Sequence, residues 1–219
     1  HAYRFRHDRC IVEKRSGVGV MDKFGLEIIP YIYDNIAPNS YWSPAYYRAT
    51  YNNQEGVLAL NGTEIIPCIY DDIDTWLTTD NFMVKSGKLK GLYTPRGKVI
   101  VPCEYTKISR WRETSLIHVK IDDQEGLYSP EGQEILPCQF IICKELNGIS
   151  LINRGGFSKN GKVQNGIWGA INKEGKIIVP CKYNDITPYA GSERIEADGG
   201  YIKDIYDFNG NYLRSEYKW

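Results

Sequence analysis

Short apolar runs of three or four residues, set on either side of a polar turn, recur along the chain. Val57-Leu58-Ala59-Leu60 precedes one such turn and Ile177-Ile178-Val179 follows another. No stretch of ten or more residues combines a 3.6-residue apolar period with helix caps, so the pattern predicts strands and almost no helix. The runs are continuous instead of strictly alternating, which predicts strands covered on both faces, as when repeated sheets stack on one another.

The phase of the repeat shows in pairs of glycines six residues apart, each pair followed five residues later by proline. The copies span residues 19–36, 56–73, 91–108, 126–143 and 169–186, with second glycines Gly25, Gly62, Gly97, Gly132 and Gly175. Successive spacings are 37, 35, 35 and 43 residues, and a worn sixth copy places Gly210 another 35 on. A period in this range marks solenoids, propellers or arrays.

Between paired glycines the chain reads Asp22 to Gly25, Thr94 to Gly97, Ser129 to Gly132, Asn172 to Gly175 and Asp207 to Gly210. A polar first residue that bonds nearby backbone, with glycine at the fourth place, predicts a type I turn ending left-handed and a hairpin with a bulge. The second copy starts its turn with Ala59 and is expected to be the least well fixed. Pro30, Pro67, Pro102, Pro137 and Pro180 cannot donate to a ladder, so each should end its strand or sit on a bulge or edge. Tyr33, Tyr70, Tyr105, Phe140 and Tyr183 share one phase and are expected to cap the core. A further strand precedes each first glycine, at Cys10–Lys14, Phe82–Lys85, Leu116–Lys120 and Ser150–Asn153. Each unit is then a three-stranded antiparallel meander, with Tyr70-Asp71-Asp72-Ile73 and its equivalents as a short fourth strand.

These residues resemble the WG-repeat (KWG) proteins of bacteria, whose units read W-G-x-[IV]-[DN]-x-x-G-x-x-[IV]-I-P-x-x-Y-D-x-I. The resemblance covers residues 10–190 and, in worn form, extends to 214. The eponymous pair survives only as Trp168-Gly169, while Val18, Glu55, Lys90 and Glu125 precede the other glycines. Tyr-Asp is intact at Tyr33-Asp34 and Tyr70-Asp71 but becomes Tyr105-Thr106, Phe140-Ile141 and Tyr183-Asn184. The resemblance implies a binding or structural module with no general catalytic set. The expected fold is all-β, one domain over residues 1–219 with about six tandem antiparallel repeats in an open or partly closed curved array. The alternative is a six-bladed, propeller-like ring.

Lys plus Arg and Asp plus Glu number 27 each, so no basic field gathers nucleic acid, and no nucleic-acid partner is expected. Four of the six cysteines, Cys68, Cys103, Cys138 and Cys181, follow the repeat's proline and read as small buried core residues, and no CxxC pair points to metal. Thiols without a bridge pattern fit a reducing compartment, and the expected location is cytoplasmic. Removal of an upstream signal segment would instead make it periplasmic or cell-envelope. No apolar run reaches the ~20 residues of a membrane span. The sequon Asn61-Gly62-Thr63 falls in a hairpin turn.

His1, His7 and His118 lack metal-ligand neighbours, and no nucleophile motif appears, so no catalytic residue, metal or cofactor is expected. Asp71, Asp72 and Asp74 are the densest acidic group and read as structural, since Asp71 holds a repeat position. Trp76 and Trp111 share a phase with Leu146 and Tyr189 and read as core lids.

Two stretches break the repeat, and array proteins carry function on such loops. The first holds Tyr41, Trp42, Tyr46, Tyr47, Arg48 and Tyr51, a composition typical of binding surfaces, or else a tyrosine-rich strand packed on its neighbour. The second, residues 154–166, holds Arg154, Phe157, Lys159 and Lys162 with no acid, and reads as a flexible basic loop for an acidic partner or a solvated excursion. The expected function is non-catalytic protein binding, with toxin neutralisation by an immunity protein as one role. The alternative is a carbohydrate- or envelope-binding domain in which Trp42, Trp76 and Trp111 stack on sugars.

Overall fold

A computed structural model of the chain describes residues 8–38, 46–75, 81–112 and 114–218, with only the backbone of Lys144 and Glu145. Two compact units divide it, His1–Cys103 and Glu104–Trp219. All regular structure among the described residues is antiparallel strand apart from one 3-10 turn, Ala190–Ser192, as the apolar pattern requires.

The first sheet holds β1 (Arg9–Lys14), β2 (Gly17–Asp22) and β3 (Glu27–Tyr33) in chain order. The second holds β4 (Asn35–Pro38), β5 (Tyr46–Tyr51), β6 (Gln54–Ala59) and β7 (Glu64–Tyr70). The third holds β8 (Asp72–Thr75), β9 (Phe82–Ser86), β10 (Leu89–Tyr93) and β11 (Val99–Tyr105). A longer sheet runs through β12 (Lys107–Arg110), β13 (Ile117–Ile121), β14 (Gln124–Tyr128), β15 (Glu134–Leu146) and β16 (Ile149–Arg154). From β16 the chain departs into a separate hairpin, β17 (Phe157–Lys159) and β18 (Lys162–Gln164), and returns to the long sheet as β19 (Ile167–Ile171) and β20 (Ile177–Tyr183). The last sheet holds β21 (Asp185–Tyr189), β22 (Arg194–Asp198), β23 (Ile202–Asp207) and β24 (Tyr212–Tyr217). No sheet among the described residues closes into a barrel.

The glycine pair explains each unit's geometry. The second glycine closes the turn: Gly132 donates its N–H to Ser129 O at 3.0 Å, with φ 90°, a region that costs a Cβ-bearing residue about 1 kcal/mol. Ser129 Oγ accepts from Glu131 and Gln133 N–H, and Asp22 Oδ1 accepts from Phe24 and Leu26 N–H in the same way. In the second copy, where Ala59 offers no side chain, Asn61 Oδ1 takes one N–H, from Thr63 at 3.1 Å. The first glycine does something different. Glu55 pairs with Tyr70 and Val57 with Ile66, so Gly56 lies opposite a bulge carrying Pro67 and Cys68. A Cβ at Gly56 would sit 2.7 Å from Ile66 O and 2.8 Å from Cys68 N, closer than packed atoms allow. Proline fits there because its missing N–H falls where the ladder is already broken.

The short Asp-Ile strand proves to be the first strand of the next sheet, not the last of its own. At each corner one polar residue, Asp34, Asp71, Thr106 or Asn184, separates the two sheets and sends its N–H to the next sheet's second strand, at Thr50 O, Lys85 O, Lys120 O and Asp198 O. Its side chain reinforces the corner where it can: Asp71 Oδ2 accepts from Gly87 N–H at 2.6 Å, and Thr106 Oγ1 donates to Lys120 O. In the fourth copy Ile141 holds this place and is 9% exposed. With no polar group to end the ladder, β15 runs on for 13 residues and fuses two repeats into one seven-stranded sheet.

Cores form between successive sheets. Val20, Ile29, Ile36, Tyr47, Ala49 and Leu58 pack together, and Val57, Ile66, Tyr70, Ile73, Phe82 and Val84 form the next layer. In the second unit Trp111, Leu127, Leu136, Phe140, Ile152 and Ile171 pack together between the two repeats fused in the seven-stranded sheet. This double coverage is why the strands read as continuous apolar runs. The four post-proline cysteines are half-buried, not fully buried as their phase suggested, because the bulge lifts them toward the surface. None of the six cysteines is in a disulfide, and burial pushes the Cys181 thiol up to about 11.

Candidate functional site

Tyr41 and Trp42 lie outside the described residues, as does Trp76. The rest of the first candidate stretch is β5, an inner strand in phase with β1, β9 and β13, so it belongs to the repeat. Tyr47 is 6% exposed inside the core, and Tyr46 meets Phe82 edge-on at 4.7 Å. Tyr51 stays exposed and touches Tyr33. Arg48 reaches the next sheet, donating from Nη2 to Ile73 O, while Glu55 Oε2 accepts from Ile73 N–H at 2.9 Å and lies 3.9 Å from Arg48 Nε. Arg48 and Glu55 together satisfy both backbone groups of Ile73 on β8, which makes them a clamp between sheets.

That diagonal pair recurs. His118 on β13 meets Glu125 on β14 at 2.7 Å, and Glu196 on β22 meets Lys203 on β23 at 2.6 Å, each seven residues apart like Arg48 and Glu55. His118 Nδ1 also lies 3.3 Å from Ser109 Oγ. Along the sequence His118 lacks a metal-ligand neighbour, and its seven-residue offset to the Glu125 carboxylate was the available signal. Lys203 and Arg194 hold the Glu196 carboxyl below the usual range.

A second recurring contact joins tyrosines 23 residues apart. The hydroxyl pairs Tyr70/Tyr93, Tyr105/Tyr128 and Tyr183/Tyr206 lie 2.7, 2.9 and 2.6 Å apart. The fourth copy replaces both partners, with Phe140 and Ile171 in one apolar cluster, so no hydroxyl is stranded there. Trp111 is 6% exposed and lies under the Arg112 guanidinium, so it acts as a core lid. Tyr189, at the same phase, stays exposed beneath Arg194.

The second candidate stretch is an ordered β-hairpin, where the sequence suggested a flexible loop. Asn160 and Gly161, both at positive φ, make its two-residue turn. Asn153, 1% exposed, clamps its neck by donating from Nδ2 to Asn165 O and accepting from Gly156 N–H, both at 3.0 Å. A Cβ at Gly166 would meet Asn153 Oδ1 at 2.2 Å, so the neck closes only on glycine. Lys159 and Lys162 stand directly opposite across the turn, and Phe157 is 48% exposed on the same arm. Arg154 sits at the hairpin's base, on the last residue of β16. None of these three basic side chains forms an ion pair among the described residues.

Elsewhere, a 780 Å³ cleft is lined by Arg112, Leu116, Gly148, Lys173 and Glu174, but Arg112 is engaged with Ser150 Oγ and Lys173 with Glu174. Asp71, Asp72 and Asp74 each have a partner, Gly87 N–H, Lys85 and Thr75 N–H respectively, in keeping with a structural role. No three His, Cys, Asp or Glu side chains among the described residues converge to hold a metal ion. No described helix is long and apolar enough to cross a membrane.

Residues 60–85, 91–124 and 168–193 match the family described as WG containing repeat. Those three segments are similar to the WG repeat. The position that gives the WG repeat its tryptophan is the one occupied here by Glu55, Glu125 and, in the sixth copy, Lys203, the second members of the diagonal pairs. Trp168 alone keeps the family residue and packs against the cluster of Ile149, Ala170 and Val179. No curated protein matches the chain in sequence. Among solved structures it is similar to the AfRom2 CNH domain, at 12% identity over 96% of this chain and 81% of that one, TM-score 0.28. It is similar to Hsv2 of Kluyveromyces lactis at 11% identity over 79% of this chain, TM-score 0.27, and spans 60% of that protein's length. BamB from Moraxella catarrhalis shows 12% identity, 96% of this chain and 73% of that one, TM-score 0.26.

Proposed function

We propose that the chain is a non-catalytic protein-binding module that docks an acidic partner through the β17–β18 hairpin. The observation that carries this reading is the tip: Lys159 and Lys162 are held directly opposite one another on a clamped hairpin, and residues 154–166 hold no acid to offset them. Like charges at opposed positions destabilise a hairpin, so a partner's carboxylates would remove a standing cost. Phe157 adds an exposed aromatic anchor beside the charge. Neutralisation of a toxin is the specific role within this reading, since one preformed projection suits recognition of one protein face. Sugar stacking finds less support, because Trp111 is enclosed.

The test is a fluorescence titration with a peptide of alternating Glu and Leu. Reversing both hairpin charges, Lys159→Glu with Lys162→Glu, should weaken binding about tenfold or more. Reversing Lys173 and Lys176, exposed on another turn, should leave it within about twofold. Equal losses from both reversals would show only diffuse attraction and sink the hairpin assignment.

A further inference from the structure

The last sheet ends in a strand unlike its five counterparts. Pro30, Pro67, Pro102, Pro137 and Pro180 each stand five residues after the turn glycine, and at that place β24 has Ser215. The first glycine is replaced as well, by Asp204, and Ser215 Oγ donates to Asp204 Oδ1 at 2.6 Å where the others have a glycine facing a bulge. Only the shift beside the turn, between Ile205 and Tyr206, remains in the β23–β24 register. β24 therefore forms a straight edge beyond that point.

Sheet edges are normally blunted by proline, a bulge, an unpaired lysine or a cover. β3, β7 and β20, which also terminate their sheets, keep both proline and bulge, and β11 keeps its proline. β24 has neither, and all six of its residues are exposed, Tyr217 at 71% and Leu213 at 52%. Its charges do not guard it, because Arg214 pairs with Glu216 at 2.8 Å and Lys218 with Asp198. Lys218 donates its backbone N–H inward to Tyr201 O, so strand alternation turns the N–H and C=O of Ser215 and Tyr217 outward.

We infer that β24 is a homodimer edge, pairing antiparallel with β24 of a second copy across a two-fold axis at Ser215. That register is self-complementary. It sets Arg214 opposite the second copy's residue 216, a glutamate, and Leu213 opposite its residue 217, a tyrosine, each contact occurring twice. Ser215 N–H becomes the central donor, the group that proline removes from every other copy. A two-fold contact of this kind closes on itself and joins two four-stranded sheets into one of eight.

Light scattering coupled to size exclusion, run over a concentration series on the whole chain, should show a monomer–dimer equilibrium. Ser215→Pro should leave a monomer with unchanged far-ultraviolet circular dichroism. Arg214→Glu and Glu216→Arg alone should each weaken the dimer about tenfold, since each opposes like charges twice, and the double swap should restore it. The charge swaps lie on exposed side chains, so they decide the matter even if Ser215→Pro misfolds. A monomer at every concentration, an open-ended oligomer, or a dimer indifferent to the single charge reversals would overturn the assignment.

Discussion

The hydroxyls of Tyr183 and Tyr206 lie 2.6 Å apart, both rings nearly buried and crossed at 76°. Asp204 Oδ2 also accepts from Tyr183 at 2.7 Å, so the pair is anchored at one end of its sheet. Tyr105 and Tyr128 repeat the arrangement without the acid. Between Tyr105 and Tyr128 one hydroxyl donates to the other, and because Tyr183 donates to Asp204, Tyr206 donates to Tyr183.

Removing both hydroxyls should therefore cost less than the two single removals added together. Tyr105→Phe or Tyr128→Phe alone should destabilise by about 1–2 kcal/mol, and the double variant by less than the sum. Urea unfolding of the four-member cycle measures this. Additive losses would mean that the hydroxyls do not depend on one another.

The same pairs predict alkaline sensitivity. Burial first, then the partner hydroxyl, raises the Tyr70, Tyr105 and Tyr183 phenols above their ordinary value near 10. A group raised in the folded state contributes stability that is complete below its unfolded pKa and declines as pH climbs toward the folded one. Stability should thus hold to about pH 10 and fall above it, and Tyr105→Phe should flatten that fall. A denaturation series from pH 8 to 11.5 provides the check.

Glu196 sets the acid side. Its carboxyl is depressed by the Lys203 hydrogen bond and by the charges of Lys203 and Arg194, so its contribution is present above the ordinary glutamate range and lost as pH falls through the lowered value. Glu196→Gln should be less stable than the parent at pH 7, with the difference shrinking below about pH 4. Melting temperatures of the two at pH 7, 5 and 3.5 test it; a constant gap would assign the loss to packing.

The two glycines of a unit should fail differently. Gly126→Ala drives a Cβ to 2.8 Å from Leu136 O and Cys138 N, both backbone, and should cost about 2–3 kcal/mol. Gly132→Ala faces the strain of φ 90° and should cost about 1 kcal/mol. Chemical denaturation ranks them, and the reverse order would count against the bulge as the tighter constraint.

Arg48 separates scaffold from surface. Arg48→Ala leaves Ile73 O without its donor and Glu55 without its counter-charge, and should destabilise by about 1–3 kcal/mol. It should leave acidic-peptide binding by the folded protein within about twofold, the opposite profile to the hairpin reversals. Thermal unfolding and the peptide titration together measure both halves.

Much of the fold was legible along the chain because its causes are local. A polar residue three before glycine, a left-handed glycine and a proline five residues on each act within one turn, so strands, turns and bulged prolines followed from composition at fixed spacing. Ownership of strands did not. Asp72-Ile73 follows Tyr70 after a single residue yet belongs to the next sheet, because its ladder partner, β9, begins ten residues ahead.

The site divides along the same line. Residues 154–166 were marked by basic residues without acids, which needs only counting, but their order comes from Asn153, a buried amide whose partners appear only when the neck closes. Residues 46–51 looked irregular for their aromatics, and only packing placed Tyr47 inside and bound Arg48 to a strand 25 residues away. Periodicity alone sufficed for the repeat, its turns and its worn sixth copy. Tertiary structure alone decided which side chains meet across sheets and which stay in water, because those contacts join residues roughly one repeat apart, a distance over which no local rule acts.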